Sequence, residues 1–197
     1  MSIKSVSGKY EAVVIGVSAG GVDALQVVLP PLPSDFPVPV MVVHHISPDS
    51  RENYLIEFFN GLCDLTVKEA NEKESVEAGN IYFAPADYHL MIESDRTFSM
   101  SVDEKVSYSR PSIDVLFESA SNVYSSGLVG IILTGANADG AEGLKAIKEN
   151  SGLTIVQDPE TAESKFMPLS AIQACQVDHI LPLNEIGNFL VNIITGY

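Results

Sequence analysis

The chain has 197 residues with 26 acidic and 11 basic side chains, so its formal net charge is −15 at pH 7. Hydrophobic residues make up 46% of the sequence, which is enough to bury the core of one domain and argues against disorder. The few basic side chains are scattered, and this argues against a nucleic-acid partner because phosphate binding needs clustered Lys and Arg.

Cysteine content and hydropathy indicate the compartment. Cys63 and Cys175 have no second Cys or His at metal-ligand spacing, so we expect reduced thiols and no metal site. No stretch approaches 18 consecutive apolar residues, and the first ten residues lack the apolar core of a signal peptide. We therefore expect a cytoplasmic protein with no membrane insertion.

Gly and Pro divide the chain into alternating strands and helices. Mostly apolar, β-branched runs predict buried strands at 12–17, 38–43, 129–133 and 153–157. Apolar residues at helical spacing predict helices at 22–29, 51–62, 112–124, 141–150, 168–176 and 183–194. This alternation predicts an α/β fold, a single domain over 1–197 with a doubly wound, mostly parallel sheet flanked by helices.

The middle of the chain has a different pattern. Short segments at 65–70, 80–84, 89–93 and 97–102 are separated by Gly, Pro, Asn and Asp. Such spacing is typical of hairpins. We therefore predict an antiparallel hairpin insertion, or an antiparallel edge, near the middle of the chain.

The first candidate site lies between the first predicted strand and the first helix and reads Gly16-Val17-Ser18-Ala19-Gly20-Gly21. Gly-x-Ser-x-Gly is typical of a nucleophile elbow, a sharp turn that exposes the serine Oγ beside helix N–H groups. A dinucleotide-binding loop and a plain strand-to-helix turn fit the six residues about as well. A dinucleotide loop, however, prefers Gly at the position of Ser18 and an acid after the second strand, where His44 and His45 stand instead.

These two histidines form the second candidate motif. Ligands in a parallel sheet gather beyond the carboxyl ends of the strands, so we expect the pair to lie near Ser18. A serine hydroxyl is a weak nucleophile that needs an adjacent base, and imidazole titrates in the useful range. Successive strand residues point to opposite faces, so only one of the two should serve.

The third motif follows the third apolar strand and therefore lies at the same edge. It reads Leu133-Thr134-Gly135-Ala136-Asn137-Ala138-Asp139-Gly140. Alone, Asp139 would be a turn or helix-cap residue, because Asp-Gly is a common turn pair. Beside a serine and a histidine, its carboxylate would orient the imidazole. The chain order Ser, His, Asp differs from the Ser, Asp, His order of α/β-hydrolases, so this is a separate arrangement of the same chemistry.

Together these motifs resemble the catalytic domain of chemotaxis receptor methylesterases, the CheB family, from about residue 10 to about residue 194. Residues 15–21 resemble the nucleophile motif of the family, 43–48 its histidine segment and 132–141 its aspartate segment. Residues 81–89, 110–117 and 156–159, and the pair Met167-Pro168, resemble further family segments. Several motifs in the same order are far more specific than any one of them.

The resemblance implies hydrolysis of γ-glutamyl methyl esters on the cytoplasmic domain of chemoreceptors, release of methanol and often deamidation of receptor glutamines, without metal or cofactor. It makes Ser18 the nucleophile, His45, the second histidine of its segment, the base, and Asp139 the orienting acid. We add candidate oxyanion and substrate contacts at Ala19, Gly20, Ala136, Met167 and Arg110, and candidate rim residues at Ser47 and His89. Arg110 suits a substrate carboxylate or a structural salt bridge equally well.

The chain also departs from the family pattern. Family members usually carry an N-terminal receiver domain, whereas about ten residues precede the first predicted strand here. We therefore expect that regulation to be absent or supplied by a separate response-regulator receiver. Ala19 stands where some members have Thr, and Ala136 and Asn137 replace a Met-Gly pair. The alternatives are a non-catalytic docking domain of the same fold, an esterase or amidase for another substrate, and a nucleotide-binding module.

Overall fold

The protein is described by a computed structural model, which covers residues 8–45 and 52–196. Within these residues the main sheet has seven strands, all parallel. Numbered along the chain and given in spatial order, they are β3 (Thr66–Glu69), β4 (Asn80–Phe83), β2 (Val40–His44), β1 (Ala12–Val17), β7 (Leu128–Ile132), β8 (Leu153–Gln157) and β9 (His179–Leu181). The predicted parallel α/β sheet is confirmed.

Helices cover both faces of this sheet, and the side chains of β1 and β7 are accordingly apolar and buried on both faces. One core packs α1 (Gly21–Val28), α2 (Glu52–Asn60) and α6 (Leu183–Thr195) against Val13, Ile15 and Val17 of β1. The other packs α3 (Ile113–Tyr124), α4 (Ala141–Glu149) and α5 (Phe166–Ala174) against the face that carries Ala12 and Val14. The alternation of side chains along one strand thus supplies two cores.

The middle segment was predicted only in part. The strands β5 (His89–Ile92) and β6 (Phe98–Ser101) pair antiparallel, which confirms the hairpin insertion. The prediction of hairpins at 65–70 and 80–84 was wrong, because these segments form β3 and β4 of the parallel sheet. The connection 70–79 contains the turn-forming residues but carries the chain back to the starting end of the sheet. Because β9 has only three residues and sits at the sheet edge, no sequence pattern marked it.

Two buried carboxylates hold the N-termini of α3 and α4 together. Asp139, just before α4, accepts hydrogen bonds from the backbone N–H of Ile113 (2.7 Å) and of Asp114 (3.1 Å) at the start of α3. Asp114 in turn accepts from the backbone N–H of Gly140 (2.9 Å) and of Gly143 (2.7 Å) at the start of α4. Each carboxylate satisfies donors that a helix N-terminus leaves without an intrahelical acceptor. The two helices therefore cap each other.

Gly16 allows α3 to approach the sheet. A Cβ atom at this position of β1 would lie only 2.4 Å from Cγ2 of Ile113, so any side chain there would push the first turn of α3 away. Because Asp139 is bound to that turn, the close approach also sets the position of its carboxylate.

Replacing Gly16 with Ala should therefore destabilise the fold. We expect Gly16→Ala to lower the free energy of unfolding by roughly 1–3 kcal/mol, the usual cost of overpacking a core. Urea denaturation followed by circular dichroism measures this difference. Gly61→Ala is the matched control, since a Cβ there would meet no atom closer than 3.4 Å. Equal losses in the two variants would contradict the packing argument.

Asp114 should make stability fall as the pH rises. Burial, helped by the charge of Asp139, raises the pKa of the Asp114 carboxyl from 3.8 to about 7. Between these values the folded protein binds a proton that the unfolded chain has lost, so the free energy of unfolding decreases up to about pH 7 and then levels off. Asp114→Asn keeps an acceptor for Gly140 and Gly143 without the charge.

We therefore expect Asp114→Asn to gain stability over the parent as the pH rises from 5 to 8. Urea denaturation at pH 5, 6, 7 and 8 tests this, and the exposed Asp35, replaced by Asn, is the control. A difference between Asp114→Asn and the parent that does not change with pH would show that the carboxyl does not titrate in this range.

Candidate active site

The turn after β1 places Ser18 at the carboxyl edge of the sheet. Ser18 is partly exposed, and Gly20 enters α1 with a φ of +74°, which glycine adopts without strain. The backbone N–H of Ser18 donates to the carbonyl of Thr134 (2.9 Å), and the Thr134 hydroxyl donates to the carbonyl of Ala19 (2.8 Å). The turn is therefore fixed to the loop that follows β7.

Backbone donors without a partner surround this serine turn. In the part of the chain that the structure describes, the N–H groups of Ala19, Gly20 and Ala136 donate to no protein acceptor. Gly135 differs, because its N–H donates to the carbonyl of Ser164 (3.1 Å). Free N–H groups beside a serine hydroxyl are the donors that an oxyanion needs.

His45 is paired with a buried acid. Its Nε2 lies 2.7 Å from Oδ2 of Asp139, whose side chain is fully buried. The carboxylate accepts the Nε2–H, so in the neutral imidazole Nδ1 carries the lone pair and is the nitrogen that can take a proton. The two residues are 94 positions apart in the sequence and meet because α3 and α4 bring the loop to the edge of the sheet.

The sheet register brings Ser18 beside His45. Val17 pairs with His44 across β1 and β2, so the next residues of the two strands, Ser18 and His45, end side by side. The backbone N–H of His45 donates to the carbonyl of Val17 (3.2 Å). Among the described residues no hydrogen bond joins the Ser18 hydroxyl to His45, whereas the Ser109 hydroxyl lies 3.4 Å from His45 Nδ1.

The carboxyl of Asp139 is held in its ionised form. Burial by itself would raise its pKa, but hydrogen bonds from His45, from the backbone N–H of Ile113 and from the Ser112 hydroxyl (2.8 Å) outweigh burial. The pKa of Asp139 therefore lies below its ordinary value. At neutral pH the imidazole consequently faces a negative charge.

His44 lies on the other side of β2. Its ring packs against Gly21, where a Cβ would be only 2.8 Å from Nε2, and among the described residues its buried Nδ1 has no hydrogen-bond partner. Burial, with a smaller contribution from the charge of His45, lowers the pKa of His44 to about 4. His44 is therefore neutral at neutral pH and turned away from Asp139, in line with the expectation that one histidine of the pair serves.

Two of the candidate contacts lie below the predicted rim. Met167 is 1% exposed and packs beneath Gly135. His89 is 2% exposed, accepts the backbone N–H of Ser112 at Nδ1 (3.2 Å) and donates from Nε2 to the carbonyl of Glu104 (3.0 Å). Both side chains support the loops around the site and do not line an open groove. Ser47 lies outside the described residues.

Arg110 is occupied by its own loop. Its Nη1 donates to the carbonyls of Val102 (2.8 Å) and Asp103 (3.0 Å), and its Nη2 lies 3.7 Å from Oδ1 of Asp87. These contacts favour the structural salt bridge over the pairing with a substrate carboxylate.

Several residues of the site had not been identified from the sequence. Ser112 was predicted only as a helix start, yet its hydroxyl donates to Asp139. Gln157 accepts the backbone N–H of Thr134 (2.9 Å) and so holds the loop that carries the third motif. The Ser109 hydroxyl lies 3.4 Å from Nδ1 of His45 and accepts from Nδ2 of Asn137, and no sequence pattern indicated these contacts.

The described residues were compared with the arrangements expected of a metal site and of a membrane-spanning helix. No group of three or more His, Cys, Asp or Glu side chains within 8–45 and 52–196 has the arrangement of a metal site. In the same residues no helix is both long and apolar enough to cross a membrane. Cys63 and Cys175 are both free thiols.

Comparisons with known proteins agree with this geometry. The CheB methylesterase family profile matches residues 13–190. A Leptospira interrogans protein named "Putative protein-glutamate methylesterase/protein-glutamine glutaminase" is 53% identical over 184 residues, 93% of this chain and 95% of that protein. The protein-glutamate methylesterase/protein-glutamine glutaminase of Thermotoga maritima is 35% identical over 193 residues, which are 96% of this chain but 55% of that protein.

The fold agrees as well. The crystal structure of the Thermotoga maritima CheB methylesterase catalytic domain matches with a TM-score of 0.89 and 35% identity, over 96% of this chain and 100% of that one. Sequence profile, relatives and fold give the same result over nearly the whole chain, and the chain belongs to the CheB methylesterase family.

Proposed function

We propose that this chain is a protein-glutamate methylesterase that hydrolyses γ-glutamyl methyl esters on chemoreceptors and releases methanol. The observation that carries the proposal is the 2.7 Å hydrogen bond between His45 and the buried Asp139, at the end of the strand beside Ser18. The names of the relatives support the substrate, and they support deamidation of glutamine as a second activity. The reaction needs no metal or cofactor.

The first step is attack by Ser18. As its Oγ approaches the ester carbonyl, Nδ1 of His45 takes the hydroxyl proton, and Asp139 stabilises the imidazolium that forms. Asp139 suits this role because it is ionised and hydrogen-bonded to Nε2, so it holds the ring in place while Nδ1 accepts the proton. The products of this step are an acyl-enzyme and methanol, which leaves with the proton from His45.

The negative charge on the tetrahedral intermediate requires hydrogen-bond donors. The free N–H groups of Ala19, Gly20 and Ala136 would supply them, and each donor of this kind contributes on the order of 3 kcal/mol to the transition state. Water activated by His45 then releases the glutamate carboxylate. With a glutamine substrate the same sequence of steps would release ammonia.

The partner and the compartment follow from this proposal. The substrate would be the methylated cytoplasmic domain of a chemoreceptor. Free thiols at Cys63 and Cys175 agree with the reducing cytoplasm. A docking domain without catalysis has no use for an ionised acid buried against an imidazole beside a serine turn, and so the geometry favours the enzyme.

The proposal predicts which side chains the reaction requires. Ser18→Ala and His45→Ala should each lower the rate of methanol release on the order of a millionfold, and Asp139→Asn somewhat less, because the three groups act as one unit. The measurement is methanol release from carboxyl-methylated chemoreceptor membranes. His44→Gln is the matched control for His45 and should keep the parent rate within a few-fold, since His44 faces away from Asp139.

Two results would contradict the proposal in different ways. Methanol release that persists in Ser18→Ala would rule out the serine mechanism. No release from the parent would rule out the receptor ester as the substrate and favour another ester or amide.

A further inference from the structure

Asp139, Asn137 and Ser109 form a closed ring of hydrogen bonds with the imidazole of His45. Asp139 binds Nε2 at 2.7 Å, and the backbone N–H of Asp139 donates to Oδ1 of Asn137 at 3.2 Å. Nδ2 of Asn137 donates to the Ser109 hydroxyl at 3.3 Å, and this hydroxyl lies 3.4 Å from Nδ1 of His45. Both ring nitrogens are therefore engaged, one by the acid and the other by Ser109.

The direction of the hydrogen bond between Ser109 and His45 follows from the hydrogen bond between His45 and Asp139. In the neutral imidazole, the proton on Nε2 that Asp139 accepts leaves Nδ1 with a lone pair and no proton, so Ser109 is the donor. Asn137 donates to the Ser109 oxygen, which leaves the hydroxyl hydrogen free to point at Nδ1. An imidazole nitrogen has one in-plane lone pair, so two hydroxyls cannot both donate a hydrogen bond to it with good geometry. Ser109 therefore occupies the nitrogen that Ser18 needs.

A tight turn presents Ser109 to the imidazole. The backbones of Val106 and Ser109 exchange two hydrogen bonds, of 3.2 Å and 2.8 Å, around Ser107 and Tyr108. Those two residues have φ values of +50° and +64°, a left-handed conformation that Gly and Asn adopt more easily. Tyr108 at the tip is 97% exposed, while Arg110 anchors the next part of the loop to the carbonyls of Val102 and Asp103. Strain at such a turn, next to a site, is a sign of a functional role.

We propose that Ser109, supported by Asn137, is a positioning residue that holds Nδ1 of His45 in the resting enzyme, so that Ser18 gains its base only when Ser109 moves away. This inference rests on the proposed function, because it takes Ser18 as the nucleophile and His45 as the base. It explains why Ser18 has no hydrogen bond to His45 among the described residues although the two lie at the ends of paired strands.

The test measures the reactivity of Ser18 without a receptor. A fluorophosphonate probe reacts when the Ser18 oxygen forms a bond to phosphorus, the P–F bond breaks, fluoride leaves and His45 takes the proton. Labelling is followed by mass spectrometry, with Ser18→Ala as the unlabelled reference. Ser109→Ala should label about two- to tenfold faster than the parent, the range that one hydrogen bond of ordinary strength allows.

Two controls separate this effect from a change in folding. Ser109→Thr keeps the hydroxyl and should label at the parent rate. Ser107→Ala makes the same substitution in the same turn, at an exposed side chain without a contact to His45, and should also label at the parent rate. Asn137→Ala removes the support for Ser109 and should raise the labelling rate as well, so the proposal stays testable if Ser109→Ala fails to fold.

A second measurement reads the contact directly. The ¹⁵N resonance of His45 Nδ1 reports hydrogen bonding at that nitrogen, so Ser109→Ala should shift it and Ser107→Ala should not. Labelling of Ser109→Ala at or below the parent rate, or an unmoved resonance, would overturn the role of Ser109 and leave the methylesterase proposal intact. No labelling of the parent or of Ser109→Ala would overturn Ser18 as the nucleophile, and the role of Ser109 with it.

Discussion

The site depends on the burial of one carboxylate. A charged side chain removed from water is costly unless hydrogen bonds replace those it loses. Asp139 is fully buried, and its oxygens accept from the imidazole of His45, the hydroxyl of Ser112 and two N–H groups at the start of α3. These partners come from two parts of the fold, the end of β2 and the N-terminus of α3, so the carboxylate can remain charged only if helix and sheet are correctly placed.

Because Asp139 needs these partners, the geometry of the site depends on how the helices pack. Asp139 caps α3 while Asp114 caps α4, so neither helix can move without removing acceptors from the other. Gly16 lets the first turn of α3 lie against β1, which brings the cap within reach of the strand ends. The same interactions that stabilise the helix pair therefore orient the imidazole of His45.

Patterns along the chain predicted most of the fold and the proximity of Ser18, His45 and Asp139. Ser18, His45 and Asp139 follow apolar strands, and parallel strands end at one edge, so their proximity could be inferred from local sequence. The parallel pairing of β3 and β4 could not, because the turn residues between them look the same in a hairpin and in a return connection. Nor could the partners of Asp139, since Ser112 and Ile113 lie more than 25 positions away and their N–H groups and hydroxyl carry no spacing signal.

The order of the imidazole contacts has a mechanical consequence. In the chymotrypsin arrangement the acid holds the nitrogen near the backbone and the distal nitrogen works. In this chain Asp139 holds the distal Nε2. Nδ1, which takes the proton in the proposed mechanism, is bonded directly to the ring carbon that joins the side chain. The imidazole is thus held at the end far from the backbone, while Nδ1 stays close to the backbone of β2 and has little freedom to move. In the proposed mechanism the nucleophile therefore has to come from the adjacent strand, as Ser18 would.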